Sequence, residues 1–229
     1  MKTVKLDRIR DHIGDAVRVR GFVQKVRVQS KIAFLILREQ DSTIQCISSS
    51  SDRGFERVKA LSQESVVEIT GTPRKEEQAP GGVELKIERI TVLSQAQDLP
   101  IQVVEKSGEA TFSKRMHYRW LDLRKPGRMR IFKVWTLLEA GFREYFLKNG
   151  FIQLYTPSFM STPSESGSEV FEVGYFDKKA YLAQSPQFYK QMAMASGFGK
   201  VFMTGPVYRA EKSETARHMT EFTGLDVEV

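Results

Sequence analysis

The sequence predicts an α+β protein with two domains, a small β-barrel followed by a domain of helices and antiparallel strands. Up to residue 93, apolar and polar residues alternate as they do in half-buried strands, whereas from residue 130 onward apolar residues first recur at helical spacing. The chain has 229 residues, enough for two cores of roughly 100 residues each. With 41% hydrophobic and 28% charged residues, its composition is that of a globular protein.

Five short strands are expected in the first domain, separated by turn-forming residues such as those at 79–82. Between the third and fourth strands, Phe55, Val58 and Leu61 occupy every third position, which predicts a helix over 52–63. A five-stranded barrel with one helix across it describes an OB-fold, a fold that often binds single-stranded nucleic acid. The expected strands lie at 16–20, 33–38, 42–48, 65–70 and 83–88.

The second half of the chain begins after a basic segment, 95–126, which has no alternation and is interpreted as a linker. A helix should follow and end at Gly150, a residue suited to its C-cap, with an apolar stripe that we expect to lie in the core. A strand from Phe151 to Leu154, ended by Pro157, comes next. Short strands, a helix over 185–196 and two strands flanking 212–217 complete the prediction. The stripe consists of Phe132, Trp135, Leu138, Phe142 and Phe146.

Charge and cysteine content restrict the partners and the compartment. Lysine and arginine number 35 against 28 acidic residues, so the net charge of +7 suits a polyanionic partner such as nucleic acid. Cys46 is the single cysteine, which excludes an intrachain disulfide and a cysteine-based metal cluster and indicates a reducing compartment. The charged N-terminus has no signal-peptide core and no apolar run reaches membrane length, so we expect a cytoplasmic protein without membrane contact.

A charged hairpin near the C-terminus carries the most specific motif. Its first strand ends in Tyr208-Arg209-Ala210-Glu211, a polar loop leads to Arg217-His218, and the second strand begins with Glu221-Phe222. Two such strands place a cation opposite a flat apolar ring, and ATP needs both groups, for its phosphates and its adenine. From residue types alone, a salt-bridged surface hairpin is the alternative. The order of residues, however, resembles motif 2 of the class II aminoacyl-tRNA synthetases.

This resemblance implies a set of roles around ATP. Arg209 would bind the α-phosphate and stabilise the charge that develops as an amino-acid carboxylate attacks phosphorus, giving aminoacyl-adenylate and pyrophosphate without a protein nucleophile. Glu211 would meet the adenine and Phe222 would stack beneath it. The outer phosphates would face Arg217 and His218, and the tRNA acceptor end would meet Ser213, Thr215 and Glu221.

A second segment, Gln184-Ser185-Pro186-Gln187-Phe188-Tyr189-Lys190-Gln191, resembles the aspartate-binding stretch of aspartyl-tRNA synthetases. Lys190 falls one helical turn after Gln187, so both side chains can face one pocket, and an ammonium is a natural partner for a carboxylate. Composition alone would favour a solvated helix lysine. Asparaginyl relatives typically lack this lysine, and Asp226 matches an acid that lies near the substrate amino group.

Segment 163–171 is similar to the mobile loop that closes over aspartate in this family, and the resemblance makes Glu165 and Ser168 substrate contacts. Ser166 stands where the pattern usually has its first glycine, which reduces backbone freedom. In the barrel, residues 33–38 and 43–45 resemble the anticodon-binding face. Phe34 lies opposite the apolar face of its strand and would stack on a base, with Gln45 and Glu84 as further contacts; core packing of Phe34 is the alternative.

The resemblance covers essentially the whole chain and implies its domain boundaries. They are an N-terminal five-stranded OB-fold β-barrel that binds the anticodon (1–96), a hinge (97–126), and the first part of a class II synthetase antiparallel-sheet catalytic domain (127–229). The catalytic part carries motif 1, residues 130–157, which implies a homodimer, and motif 2. Motif 3 is absent from the sequence, so the isolated chain should have little activity and β-edge residues near Val227 should be open to pairing.

The expected function is ATP-dependent activation of L-aspartate and its transfer to tRNA(Asp). The cofactors would be ATP and Mg²⁺, with the metal ligands expected beyond Val229 and none within this chain. Two alternatives stay open. The run Arg209-Ala210-Glu211-Lys212-Ser213 resembles asparaginyl-tRNA synthetases more than aspartyl ones, and a noncatalytic tRNA-binding relative would keep the barrel and the hairpin.

Overall fold

The structure, a computed structural model, describes residues 2–104, 108–164, 170–211, 215 and 218–229. The chain divides into two compact units, Met1–Phe132 and Lys133–Val229, and each is considered by itself. No helix among the described residues combines the length and hydropathy needed to cross a membrane.

The first unit contains the predicted closed barrel. Its sheet has the order β1-β2-β3-β4-β6-β5, and a further pairing of β2 with β5 closes it. The β4–β6 pair is parallel and the other pairs of the five long strands are antiparallel, as in an OB-fold. The strands are β1 Lys2–Thr3, β2 Val17–Gln29, β3 Ile32–Glu39, β4 Ser42–Ser49, β5 Val66–Lys75 and β6 Val83–Ser94.

The barrel is filled by the inward side chains of its alternating strands, among them Val19, Leu35 and Ile69, all fully buried. A 3₁₀ helix, Leu6–His12, adds two apolar side chains to this core. Both the β1 strand and this helix were missed by the sequence analysis.

The helix across the barrel, α1, spans Phe55–Lys59 and is shorter than the predicted 52–63. Phe55, Val58 and Leu61 are nevertheless buried, as their spacing predicts. Asp52 explains the late start, because its carboxylate accepts a hydrogen bond from the backbone N–H of Ser49 at 2.6 Å and fixes a turn there.

The segment after the barrel folds onto a small core of its own, formed by Ile101, Val103 and Leu121. It contains α2, Phe112–His117, and α3, Arg119–Asp122. Arg124 then binds the barrel, where its Nη1 and the Nη2 of Arg38 each donate to Glu64 Oε2 at 2.8 Å. The described part of the interpreted linker, 95–104 and 108–126, therefore contacts the barrel through Arg124.

Helix α4, Pro126–Lys148, contains the boundary between the units and is followed by Gly150 with φ +77°, as expected for a C-cap glycine. Two three-stranded sheets follow, with the orders β8-β10-β9 and β12-β11-β7. The remaining elements are β7 Ile152–Gln153, β8 Phe159–Met160, β9 Glu172–Tyr175, β10 Lys178–Leu182, α5 Gln187–Ala195, β11 Val201–Tyr208 and β12 Glu221–Glu228.

The expectation that the whole apolar stripe of α4 lies in the core is wrong. Phe132, Trp135 and Leu138 are 43%, 61% and 57% exposed. The C-terminal part of the helix meets the sheet, where Phe142 and Phe146 lie 6.0 and 5.5 Å, centroid to centroid, from Phe202 of β11. Helical periodicity shows that one side of a helix is apolar, but it does not show which residues a neighbouring layer covers.

Candidate active site and nucleic-acid interface

The hairpin of β11 and β12 has two different faces. The strands pair along their whole length, from Val201 opposite Glu228 to Tyr208 opposite Glu221. Because side chains alternate along a strand, the half-buried Phe222, Asp226 and Glu228 share one face. That face receives α5, so aromatic and acidic groups of β12 lie beside the helix that carries the predicted aspartate-binding residues.

Lys190 is the centre of this site. It is only 4% exposed, and its Nζ lies 2.8 Å from Asp226 Oδ1, 3.2 Å from Glu228 Oε2 and 3.2 Å from the carbonyl oxygen of Val227. Gln187, one turn earlier on α5, donates from Nε2 to the same Glu228 oxygen at 3.4 Å. The structure thus brings together three predicted aspartate-binding residues, Gln187, Lys190 and Asp226.

Glu228 was missed by the sequence analysis. The available signal was its position two residues after Asp226, which on a strand puts both carboxylates on one face.

The groups around Lys190 determine the charge of its side chain. Burial is the largest influence and lowers the pKa of Lys190, but hydrogen bonds to Asp226 and Glu228 outweigh it and raise that pKa above its ordinary value. Lys190 is therefore an ammonium at neutral pH.

The other end of the same face carries the predicted ATP residues. The guanidinium carbon of Arg209 lies 5.5 Å from the centroid of the Phe222 ring. A hydrogen bond from the Arg209 N–H to the Thr220 carbonyl, 2.9 Å, extends the hairpin beyond β11. Phe222 and Asp226 are four residues apart on β12, roughly 13 Å at the rise of a strand. One face thus carries a cation beside an aromatic ring and, farther along, an ammonium with two carboxylates.

The loop of the hairpin is described only in part. Thr215 Oγ1 and His218 Nδ1 lie 2.7 Å apart, and the two residues form an isolated bridge. Glu221 is exposed and lies on the face opposite Phe222. Four predicted site residues lie outside the described residues: Glu165, Ser168, Ser213 and Arg217.

In the barrel, Phe34 points away from the core, as the alternation of β3 predicts. Its neighbours Ala33 and Leu35 are fully buried, whereas Phe34 is half-buried, so the alternative of core packing is wrong. The guanidinium carbon of Arg27 lies 5.1 Å from the centroid of its ring. A surface pocket of about 270 Å³ surrounds it, lined by Lys25, Arg27, Phe34, Ile36, Gln45, Gln78 and Pro80.

Gln45 and Glu84 are joined at the edge of this pocket. Glu84 is 3% exposed, and its Oε2 accepts a hydrogen bond from Gln45 Nε2 at 3.2 Å. Its Oε1 accepts two bonds from Arg74, at 2.9 Å from Nε and 2.6 Å from Nη2. Both carboxylate oxygens are therefore engaged, and Glu84 orients Gln45. Arg74, Lys25 and Arg27 were not predicted as site residues. They lie on exposed positions of β2 and β5, beyond residues 20 and 70 where the predicted strands end.

Among the described residues, no group of three or more His, Cys, Asp or Glu side chains is placed to hold a metal ion. The two acids of the active-site face are engaged by Lys190, so the described residues do not fit a Mg²⁺ site.

Two family models match the chain. The model described as tRNA synthetases class II (D, K and N) matches residues 112–229, and that of the OB-fold nucleic acid binding domain matches residues 17–93. The chain belongs to the class II tRNA synthetases. The predicted resemblance is thereby confirmed. The match to the OB-fold nucleic acid binding domain falls on the barrel, and the hairpin lies within the match to the class II synthetases.

Named relatives agree with this assignment. The chain is 40% identical over 220 residues to the aspartate–tRNA(Asp/Asn) ligase of Archaeoglobus fulgidus, covering 94% of this chain and 51% of that one. It is 36% identical over 231 residues to the aspartate–tRNA(Asp) ligase of Thermoplasma acidophilum, covering 100% and 54%. The class II synthetase chain spans about half the length of these curated relatives.

A solved structure shares the fold. It is the asparaginyl-tRNA synthetase from Pyrococcus horikoshii complexed with asparaginyl-adenylate, with a TM-score of 0.88 and 34% identity over 95% of this chain and 50% of that one. A putative aspartyl-tRNA synthetase from Leishmania major Friedlin follows with a TM-score of 0.87 and 30% identity, covering 98% and 47%. Both support the predicted α+β arrangement of an OB-fold barrel followed by the start of a class II catalytic domain.

Proposed function

We propose that this chain is part of an aspartate–tRNA ligase, which uses ATP to activate L-aspartate and transfers the aspartyl group to tRNA(Asp). The observation that carries the proposal is the buried ammonium of Lys190, held beside two carboxylates on the motif 2 face. A buried cation of this kind recognises the side-chain carboxylate that distinguishes aspartate from its amide.

In the proposed reaction, Asp226 binds the substrate α-ammonium and Lys190 its side-chain carboxylate, with Gln187 beside them. Adenine stacks on Phe222 and Arg209 stabilises the charge on the α-phosphate. The substrate α-carboxylate attacks the α-phosphorus and pyrophosphate leaves, so the protein supplies position and electrostatic stabilisation and no nucleophile. The described residues do not offer Mg²⁺ a site; when bound with ATP, the ion would neutralise charge on the phosphates.

The remaining roles follow the family motifs. Glu211 would contact the adenine, and Arg217 and His218 the outer phosphates. The loop residues Ser213 and Thr215, with Glu221, would meet the acceptor end of the tRNA. Glu165 and Ser168 would close over aspartate.

The barrel is proposed to bind the anticodon. The half-exposed ring of Phe34 offers a stacking platform, and Gln45, oriented by Glu84, reads a base edge. Lys25 and Arg27 line the same pocket and suit the phosphates of an RNA strand.

The exposed apolar side chains of α4 support a homodimer through motif 1, since eight large hydrophobic residues of this helix are more than one-third exposed: Ile131, Phe132, Val134, Trp135, Leu137, Leu138, Tyr145 and Leu147. We expect the protein to act in the cytoplasm.

An asparaginyl-tRNA synthetase is the second candidate, because of the structural likeness to the Pyrococcus horikoshii enzyme and the residues 209–213. A neutral amide gains less than a carboxylate from the ammonium of Lys190, so the geometry favours aspartate.

Binding of amino acids to the 229-residue chain tests the proposal. Titrations with L-aspartate, L-asparagine and L-lysine, followed by ligand-observed NMR, should show preference for aspartate, and Lys190→Ala should abolish its binding. Lys179→Ala is the matched control, because Lys179 is an exposed lysine that pairs with Glu172 on β9. Preferential binding of asparagine by the unmodified chain, or aspartate binding that survives Lys190→Ala, would contradict the assignment.

A further inference from the structure

All the hydrogen-bonding capacity of the Lys190 ammonium is used within the protein. An ammonium has three N–H donors. Nζ has three acceptors within 3.2 Å, namely Asp226 Oδ1, Glu228 Oε2 and the carbonyl oxygen of Val227. Because the residue is 4% exposed, a substrate carboxylate reaches Lys190 only if it replaces one of these acceptors.

The three acceptors differ in how easily they can leave. The carbonyl of Val227 belongs to the backbone of β12 and is fixed by its strand. Asp226 makes the shortest contact, 2.8 Å, and is the proposed partner of the substrate α-ammonium. Glu228 lies farther from Nζ, at 3.2 Å, and Gln187 Nε2 already contacts the same oxygen at 3.4 Å. Glu228 displaced from Lys190 therefore still has Gln187 Nε2 as a hydrogen-bond donor.

We propose that Glu228 occupies the place of the substrate's side-chain carboxylate in the empty site and thereby acts as a specificity filter, which aspartate displaces and asparagine does not. This inference rests on the proposed function of Lys190. Aspartate replaces one carboxylate on the ammonium by another, so the charge-assisted bond is restored. Asparagine offers a neutral amide oxygen and would exchange that bond for a weaker one.

The charge of the cluster supports an exchange over a simple addition. Lys190, Asp226 and Glu228 together carry one net negative charge, and Lys190 Nζ lies next to both carboxylates. A further carboxylate added to this group would be repelled by that net negative charge. Departure of Glu228 toward Gln187 and solvent relieves that repulsion, and its side chain is 27% exposed and therefore has an exit.

The test compares the dissociation constants of L-aspartate and L-asparagine for the wild-type chain, Glu228→Gln and Glu228→Asp. In Glu228→Gln, the resident acceptor is neutral and both ligands can displace it. The ratio of the asparagine constant to the aspartate constant should fall about tenfold, the order of one charge-assisted hydrogen bond. Glu228→Asp keeps the charge and should keep a ratio close to that of the wild type. Glu172→Gln, a carboxylate paired with Lys179 on the other sheet, is the control and should change the ratio less than about twofold.

A different result would overturn the inference. If Glu228→Gln weakens both ligands equally and leaves the ratio unchanged, Glu228 merely holds Lys190 in position. If the wild-type chain shows no preference for aspartate, the proposed function fails and the inference fails with it. Failure of the inference alone is recognised by a wild-type preference for aspartate that Glu228→Gln leaves unchanged. Thermal unfolding of each variant shows whether it is folded, and Glu228→Asp gives the comparison should Glu228→Gln unfold.

Discussion

The barrel and the second unit contain the same kinds of apolar residues, but these residues are buried in the barrel and largely exposed on α4. In the barrel, the pairing of β2 with β5 closes the sheet and encloses one continuous core. In the second unit, the sheet of β12, β11 and β7 is open, β12 is an edge strand, and α4 contains no buried residue. A closed barrel completes its core within fewer than 100 residues of chain, whereas an open sheet depends on further layers for coverage.

The largest effect expected from this contrast concerns one substitution made in both regions. Leu35 is fully buried in the barrel, while Leu138 on α4 is 57% exposed. Leu35→Ala should lower the free energy of unfolding of the barrel by about 3 kcal/mol, because it removes apolar contacts and leaves a cavity. Leu138→Ala should change the free energy of unfolding by less than about 0.5 kcal/mol. Urea unfolding followed by circular dichroism measures both.

Analytical ultracentrifugation, which measures self-association, tests the exposed face of α4 in the same variant. If α4 forms the proposed homodimer, Leu138→Ala should weaken self-association while the monomer stays equally stable. A large loss of monomer stability in Leu138→Ala would mean that the exposed stripe is covered within the chain, and the contrast between the two regions would break.

A smaller effect is expected at Asp122, the buried acid of the segment after the barrel. Arg119 Nη1 and Lys125 Nζ lie 2.9 and 3.2 Å from its carboxylate oxygens. Burial on its own would raise the pKa of Asp122, but the hydrogen bond from Lys125 and the charges of Arg115 and Arg128 hold that pKa below its ordinary value. Asp122→Asn should destabilise the first unit by about 2 kcal/mol, less than for a fully enclosed pair because two of its cations, Arg119 and Arg128, reach solvent.

The same group predicts a pH dependence. A carboxyl whose folded pKa is depressed contributes its full stability above its unfolded pKa of about 3.9, and that contribution is lost as the pH falls through the folded pKa. As the pH is lowered below about 4, the unfolding midpoint should therefore fall less steeply in Asp122→Asn than in the wild type, which an acid titration measures. Parallel curves for the two proteins would show that Asp122 is not a source of the acid sensitivity.

The contrast between the regions also explains what the sequence can predict. Alternation predicts the existence of the five long strands and the outward position of Phe34, because a barrel converts a local pattern directly into burial. It does not predict the full length of β2, β5 and β6, which extend beyond the predicted 16–20, 65–70 and 83–88. The stripe of α4 has an equally clear period, yet the exposure of Trp135 depends on a covering layer that periodicity does not describe. In the site, the motifs locate Lys190 and Asp226. Strand spacing places Glu228 on the face of Asp226, but its contact with Lys190, like that of Arg74 with Glu84, becomes evident only from the side-chain positions.

The smallest effect, on ligand binding, tests whether the barrel functions independently. Phe34→Ala should weaken binding of an anticodon stem-loop RNA about tenfold, the order of one lost base–aromatic stack. Phe222→Ala, the same change on the motif 2 face, should alter that affinity less than about twofold, because the stack it removes belongs to ATP. Fluorescence anisotropy with labelled RNA at a fixed salt concentration measures both, since contacts to phosphate make affinity depend on salt.

Phe34→Tyr separates stacking from general disturbance of the barrel, because it keeps an aromatic face at the same position and should retain most of the affinity. Equal losses in Phe34→Ala and Phe222→Ala would mean that the RNA is held by both units together. Loss confined to Phe34→Ala would instead show that the closed barrel, with Phe34 on its outward face, binds RNA without help from the second unit, because the RNA then depends on a stack that only the barrel provides.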